Sequence, residues 1–490
     1  MRYSPASSSP LPRVTLYILG LTYMGLGGVM ALMALAGLVL GQSWLGFLAG
    51  AAIGLTLGAL FRGVGASKTT PRRAESLFAV ALLWLAVPLL GAVPFWISGG
   101  MSYLDALFES MSGFTTTGAT ALADFKQFDQ TLFFWRSLIQ WFGGVGVLVL
   151  FIAVLPSLAV AGRQLFFAES TGVQKEAITP RLSDTARAVL KVYVLLTVSA
   201  ALAYGFAGVP WFEAISNALT TIPAAGFSPN PMSFANYTPA AQWFGVIFMF
   251  LGGASFVLQF QLFFRREARP VITDPEFRAY FAIVLVAGLV LSGYLYAHNT
   301  YGLEASLRHA FFQVTSLITT TGYASADFAQ WVLPAQAILV AVMFVGGCAG
   351  SGAGGIKVVR WLVVGALVRR ELQRTLHPQA VLPLRIGNKT FGEDVLRSVA
   401  AFITLYALLF AVSALALALL EGNLVVAFTA SAAAIGNIGP GLEQIGPMGN
   451  YAGLHPVSKL ILITEMWAGR IELISVFLLL TPELWRKLRS

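Results

Sequence analysis

The sequence predicts an all-α polytopic membrane protein with two N-terminal transmembrane helices. These precede four covalently linked repeats of span, pore helix and span in a pseudo-fourfold arrangement. Three observations carry that prediction. The 490 residues are 57% hydrophobic and 11% charged, with a mean hydropathy of +0.76, far outside the composition of soluble domains. Apolar runs such as Val14 to Leu40, Trp44 to Phe61, Leu77 to Ile97 and Val399 to Leu420 have bilayer length, about 20 residues for a helix, while strand-length alternation is absent. Finally, the chain aligns with itself, without gaps, on Gly118, Gly226, Gly322 and Gly439.

Taken in order, Met1 to Arg13 is polar and proline-rich and leads straight into a full-length span, unlike a secretory signal, so no cleavage is expected there. Spans near 14–40 and 44–66 make an N-terminal unit of residues 1–72. The repeats follow at 73–160, 184–265, 275–375 and 393–487, for about ten spans and four half-helices in all. Twelve positions before each glycine stands Ala106, Ala214, Ala310 or Ala427, and four before it stands Phe114, Ile222, Ile318 or Ile435. The segment between the alanine and the loop is about eleven residues, roughly 16 Å of helix, which is half of a hydrocarbon core of about 30 Å. Non-helical backbone at that depth is tolerated only where protein buries it or water fills a cavity, so four such loops imply a shared aqueous axis.

The net charge of +9 is unevenly placed. If the four glycines face outward, the clusters Arg62 to Arg73, Arg163 to Lys191, Arg265 to Arg278, Lys357 to Arg397 and Arg486 to Arg489 all fall inside. Near the outer side only Lys126, Arg136, Arg308 and Lys459 remain. That distribution points to a lipid bilayer and its anionic headgroups, not to nucleic acid. The single cysteine, Cys348, cannot form an intramolecular disulfide.

The loops themselves read Thr115-Thr116-Thr117-Gly118, Pro223-Ala224-Ala225-Gly226, Thr319-Thr320-Thr321-Gly322 and Gly436-Asn437-Ile438-Gly439. Backbone carbonyls of four such loops replace the hydration shell of a K+ ion, and glycine permits the backbone turn that aims them inward. Half-helices with their carbonyl ends toward the membrane centre add partial negative charge, and Thr115, Thr319 and their neighbours are expected to add hydroxyl oxygens lower in the pore. Small residues also serve close helix packing, but four aligned copies favour the loop reading. Asp124 and Asp327 follow the first and third loops at nearly equal distance and read either as pore-mouth carboxylates or as caps of a following turn.

A second glycine-rich stretch, residues 346–355, contains Gly346, Gly347, Gly350, Ser351, Gly352, Gly354 and Gly355. Each glycine weakens a helix by about 1 kcal/mol relative to alanine. The match of Gly350, Gly352 and Gly355 to a dinucleotide fingerprint is spurious, because no βαβ unit surrounds it. Two readings stand: close helix packing through Gly346, Gly350 and Gly354, or an intramembrane loop that blocks the pore from below. Arg470 lies inside the apolar run Leu460 to Leu480, where a lone charge costs about 2.5–3.5 kcal/mol, so it is expected to face the inner cavity as part of the gate. Glu465 and Glu472 lack the spacing to pair with it along one helix.

Several segments together resemble the TrkH family of membrane subunits of bacterial Trk potassium uptake systems, over essentially the whole chain. They are Phe134-Trp135-Arg136, Gln140-Trp141-Phe142-Gly143-Gly144, Leu317 to Phe328, Gly346 to Ser351, Gly439-Pro440-Gly441 and Gly469-Arg470-Ile471-Glu472. In that superfamily, which includes KtrB and plant HKT proteins, the resemblance implies four joined pore units around one filter, commonly as a homodimer. It implies potassium uptake across the bacterial inner membrane, controlled by a TrkA-like cytosolic subunit that carries the nucleotide, NAD(H) or ATP/ADP. It places K+ at Thr115, Thr116, Thr117, Gly118, Ala224, Ala225, Gly226, Thr319, Thr320, Thr321, Gly322, Asn437, Ile438 and Gly439. The second loop departs from the family's common Ser-Thr-Gly-Gly-Phe: Gly226-Phe227 is kept, but Pro223-Ala224-Ala225 brings no hydroxyl.

Two other functional classes fit the sequence less well. An intramembrane enzyme lacks support, since His298, His309, His377 and His455 show no metal-ligand spacing and no H-E-x-x-H or G-x-S-x-G occurs. A carrier that couples K+ to H+ or Na+ by alternating access shares the discontinuous helices, yet carriers show two related halves and this chain shows four quarters.

Overall fold

The structure, a computed structural model, describes residues 13–65, 73–158, 182–380, 382–387 and 389–489. The basic clusters expected at Arg62 to Arg73 and Arg163 to Lys191 lie partly outside the described residues. Helices α1 (Arg13–Leu40) and α2 (Leu45–Val64) pack backbone to backbone through glycine, for a Cβ on Gly20 would stand 2.7 Å from the carbonyl oxygen of Gly58. Leu32, Leu35, Leu38 and Val39 stay exposed on the other side of α1, as a lipid-facing surface requires.

Helices α3 (Arg73–Gly91) and α4 (Val93–Ile97) form one apolar stretch, followed by the short α5 (Tyr103–Phe114) and the long α6 (Gln130–Leu158). Next come α7 (Leu182–Phe206), α8 (Trp211–Thr221), α9 (Pro239–Gly253) and α10 (Phe256–Phe264). The short α11 (Arg269–Thr273) leads into α12 (Pro275–Ala297), α13 (Leu303–Ile318), α14 (Leu333–Met343) and α15 (Val358–Leu376). The last group is α16 (Glu393–Glu421), α17 (Leu424–Ile435), α18 (Pro456–Arg470), α19 (Ile474–Leu479) and α20 (Pro482–Arg489).

Among the described residues, length and apolarity qualify six of these stretches to cross a membrane, and a seventh if α9 and α10, bent by 107° at their junction, count as one span. Other apolar runs are interrupted in the backbone. The apolar run breaks at Gly252-Gly253-Ala254-Ser255, again over residues 345–357, and a third time after Arg470, where Glu472 and Leu473 take positive φ values of 60° and 27°. Hydropathy reads such a stretch as one run because it counts side chains and not backbone, whereas paired glycines weaken the helix locally.

A further addition to the helical architecture is a hairpin of β1 (Leu384–Ile386) and β2 (Lys389–Phe391), antiparallel with Leu384 opposite Phe391. Leu384, Ile386 and Phe391 pack with Val363 of α15 and Val395 and Val399 of α16. The centre of the molecule is occupied by the short helices α5, α8, α13 and α17. Phe108, Ala218, Phe312 and Ala427 on them are fully buried.

Candidate functional site

Each of those four helices ends in one of the aligned loops, and the four endings share a hydrogen-bond pattern. The N–H two residues before the glycine donates to the last helical turn: Thr116 to Gly113 O at 3.0 Å, Ala224 to Thr221 O at 3.0 Å, Thr320 to Leu317 O at 3.1 Å and Asn437 to Ala434 O at 3.1 Å. The next N–H does likewise, from Thr117 to Ser112 O, Ala225 to Thr220 O, Thr321 to Ser316 O and Ile438 to Ala433 O, all between 2.8 and 3.0 Å. Those four turn residues adopt left-handed φ values of +53°, +59°, +58° and +52°, and Gly118, Gly226, Gly322 and Gly439 follow at +82°, +82°, +81° and +104°. Two N–H groups of each loop are thereby satisfied by its own helix end.

The loops meet in a closed ring. A Cβ on Gly118 would stand 2.3 Å from Ala225 O, on Gly226 1.8 Å from Thr321 O, on Gly322 2.1 Å from Ile438 O, and on Gly439 2.7 Å from Thr117 O. Each loop thus abuts the next, and the fourth returns to the first. All four glycines line a single open cavity of about 150 Å³, shared with Arg136, Ser228 and Pro440.

Side chains outside the loops brace the ring. Gln140 of α6 donates from Nε2 to Ala225 O at 2.8 Å, and its Oε1 accepts from Phe227 N at 3.0 Å, holding the loop that has no hydroxyls of its own. Arg136, one turn earlier, pairs with Glu109 of α5 at 2.5 Å, donates to Ser228 O at 2.9 Å and lies 3.6 Å from the centroid of the Phe227 ring. Tyr323 reaches from the third loop into α8, where its hydroxyl donates to Asn217 O at 2.8 Å and bonds Thr220 Oγ1. Tyr451 donates to Gly439 O at 2.7 Å. The Thr115 and Thr319 hydroxyls each donate to their own helix, to Met111 O and Thr315 O at 2.7 Å, and contact Thr117 or Thr321 Oγ1 at 2.8 Å. A hydroxyl that donates its hydrogen to a helix carbonyl keeps its oxygen lone pairs as acceptors.

Residues 345–357 lie against the helix-side face of this ring. They form no helix, with φ of +73° at Gly350 and +67° at Gly355, which excludes the helix-packing reading. Gly354 N donates to Thr320 Oγ1 at 2.8 Å, and Cβ atoms on Gly352 and Gly354 would lie 2.8 Å from Pro223 O and 2.6 Å from Gly436 O. The segment is tied sideways by Cys348 N to Gly253 O at 2.8 Å, Gly352 N to Gly252 O at 3.1 Å and Phe256 N to Gly350 O at 3.1 Å. Its two feet converge on Glu276 of α12, whose Oε1 accepts from both Ala349 N at 2.8 Å and Val359 N at 3.0 Å. Gly346 and Gly347 close the base, through Gly346 N to Ile356 O and Val358 N to Gly347 O, while Ser351 Oγ donates to Cys348 O. Arg470 is buried and donates from Nη1 to Gly352 O at 3.0 Å, with Nε and Nη2 free of hydrogen bonds among the described residues. Its neighbour Glu472 pairs with Arg360 at 2.7 Å instead.

The family model for TrkH, described as cation transport protein, matches residues 47–487. The chain belongs to the TrkH family. It is 39% identical over 418 residues to the Trk system potassium uptake protein TrkH of Salmonella typhimurium, covering 84% of this chain and 86% of that protein. Against the TrkH of Halomonas elongata the identity is 34% over 490 residues, 97% and 99% of the two chains. The crystal structure of the potassium transporter TrkH from Vibrio parahaemolyticus superimposes with a TM-score of 0.88 at 32% identity, over 96% of this chain and 99% of that one. The chain is accordingly a multi-pass membrane protein of a transporter family.

Within this family member, Asp124 and Asp327 cap short turns, accepting from Lys126 N at 2.9 Å and Ala329 N at 3.2 Å, and neither lines the cavity. Glu109 is a site residue that sequence reasoning passed over. A signal was available, since nine positions before the glycines stand Glu109, Asn217 and Gln313, so that three of the four copies carry a polar side chain at the same place. Glu109 accepts from Ala121 N at 2.8 Å, Asn217 donates to Tyr237 Oη at 3.0 Å and Gln313 donates to Ala326 O at 3.3 Å, each steadying the segment beyond its own loop.

Proposed function

We propose that this chain is the potassium-conducting subunit of a Trk uptake system in the bacterial inner membrane. The closed contact ring of Gly118, Gly226, Gly322 and Gly439 around one cavity is the observation that carries this reading. A hydrated K+ enters the cavity from outside, sheds water, and is received by the carbonyl oxygens of residues 115–118, 224–226, 319–322 and 437–439. The C-terminal ends of α5, α8, α13 and α17 supply partial negative charge at the same place. Below, the stretch from Gly346 to Gly355 closes the path, and the Arg470 guanidinium on Gly352 O holds it closed while repelling cations.

The names of the curated relatives, Trk system potassium uptake proteins, support potassium as cargo and a multi-subunit setting. A TrkA-like cytosolic ring that binds the nucleotide is the proposed regulator, with the basic inner surface around Arg369, Arg374 and Arg385 as its dock and a homodimer as the assembly. Release of the loop by that regulator lets ions pass. The test is rubidium and sodium flux into liposomes for Gly118→Ser and Gly322→Ser. Loss of potassium preference with retained folding supports the reading, and unchanged preference overturns it.

A further inference from the structure

Buried carboxyl groups among the described residues are Glu109, Asp274, Glu276 and Glu465. Glu109 faces Arg136, Asp274 caps α12 by accepting from Phe277 N at 2.8 Å, and Glu276 accepts two backbone N–H groups. Glu465 of α18 differs from all three. It is fully buried, its Oε1 accepts from Ser431 Oγ at 2.6 Å, and its Oε2 has no hydrogen-bond partner among the described residues.

The groups facing Glu465 are uncharged. From α16 come Ser413 and Tyr406, whose buried hydroxyl has no hydrogen-bond partner among the described residues; α17 presents Ser431, and the segment after Gly439 presents Tyr451. Charged groups on α18 and on the neighbouring α5 are engaged elsewhere: on α5, Asp105 bonds Lys459 and Glu109 bonds Arg136, and on α18 itself Arg470 is held by Gly352 O. An ionised carboxylate in such surroundings has no compensating cation, and a buried group so placed takes a proton instead.

We propose that Glu465 is a proton-binding site, a neutral carboxylic acid whose O–H fills the polar gap among α16, α17 and α18 behind the fourth loop. The site lies one residue from the ring. Met466 O accepts from Asn437 Nδ2 at 2.9 Å, and the same amide donates to Thr117 Oγ1 at 3.0 Å, so the backbone next to Glu465 fixes the side chain that joins the fourth loop to the first. The neutral acid is the packed form. It persists below its ionisation and is lost as pH rises through it, when the bare carboxylate draws water or moves α18 and loosens that corner.

The consequence for flux rests on the pore reading above; the protonation itself does not. Infrared difference spectra of the full-length protein in liposomes, wild type minus E465Q, are expected to show the carbonyl stretch of a protonated carboxyl at neutral pH, shifted by D2O. In S431A, which removes the hydrogen bond to Oε1, the same band moves to higher frequency, so the assignment does not depend on E465Q folding. Rubidium uptake by the wild type is expected to fall with rising pH by about tenfold per unit once the group ionises, the slope of one proton, and to stay flat in E465Q. Absence of any protonated-carboxyl band assigned to Glu465 at neutral pH overturns the proposal while leaving the pore intact. A pH-dependence retained in a folded E465Q overturns the coupling to the ring. Failure of the wild type to conduct rubidium at any pH strikes at the pore reading and leaves the infrared result standing.

Discussion

Replacing Gly226 with alanine places a methyl group 1.8 Å from Thr321 O, where ordinary contact begins near 3.4 Å. The neighbouring loop must therefore retreat by roughly 1.6 Å, and the alanine must also keep φ near +82°. The left-handed conformation costs a non-glycine residue about 1–2 kcal/mol, and overpacking in a close-packed interior adds about 1–3 kcal/mol. Part of that total is relieved by opening the ring, which spoils the fit of the carbonyl cage. If half of it appears as lost discrimination, about 1–2.5 kcal/mol, potassium preference over sodium falls roughly 5- to 70-fold, since 1.4 kcal/mol is tenfold. The assay is rubidium uptake into liposomes against excess sodium, with thermal unfolding in detergent as the folding control. The same geometry ranks the four positions, because the clash eases from Gly226 through Gly322 and Gly118 to Gly439. A folded Gly226→Ala protein that discriminates like the wild type, or one less impaired than Gly439→Ala, would refute the reasoning.

Further expectations follow from the braces and the gate. Gln140→Leu strips hydrogen bonds from Ala225 O and Phe227 N, costing about 1–3 kcal/mol for each buried group left unmade; it is expected to lower the unfolding temperature and weaken selectivity together. Arg136→Met strands the Glu109 carboxylate in the core and is expected to cost about 3–5 kcal/mol of stability, with much of the loss restored when Glu109→Leu is added, as a double-mutant cycle in detergent checks. Arg470→Ala removes the donor to Gly352 O and is expected to raise rubidium flux in the absence of the regulator; unchanged basal flux and unchanged regulation contradict its place in the gate. Glu276→Ala frees Ala349 N and Val359 N at the feet of the glycine segment, and a basal leak larger than that of Arg470→Ala is expected in the same liposomes.

The helical membrane class was legible because side-chain hydropathy reports the solvent each stretch meets, and the four loops were legible because the chain aligns with itself at Gly118, Gly226, Gly322 and Gly439. What stayed hidden depends on backbone and partners. The break at Gly252-Gly253-Ala254-Ser255 sits in an apolar run that hydropathy reads as continuous, and three-residue strands such as Leu384-Arg385-Ile386 are too short for alternation to register. That the Thr115 and Thr319 hydroxyls donate to their own helix ends is likewise invisible in residue order alone. Gln140, though quoted within a family motif, could not be seen as the brace of a loop some eighty residues away, because that contact exists only after folding.

Thr320 belongs to the ring and, through its hydroxyl, holds Gly354 N of the stretch beneath it. On the proposed gating, withdrawal of that stretch frees this hydroxyl beside the ion path. On that proposal a conducting molecule and a resting one are different sieves, and a locked protein is expected to report a different ion preference from one that is passing ions.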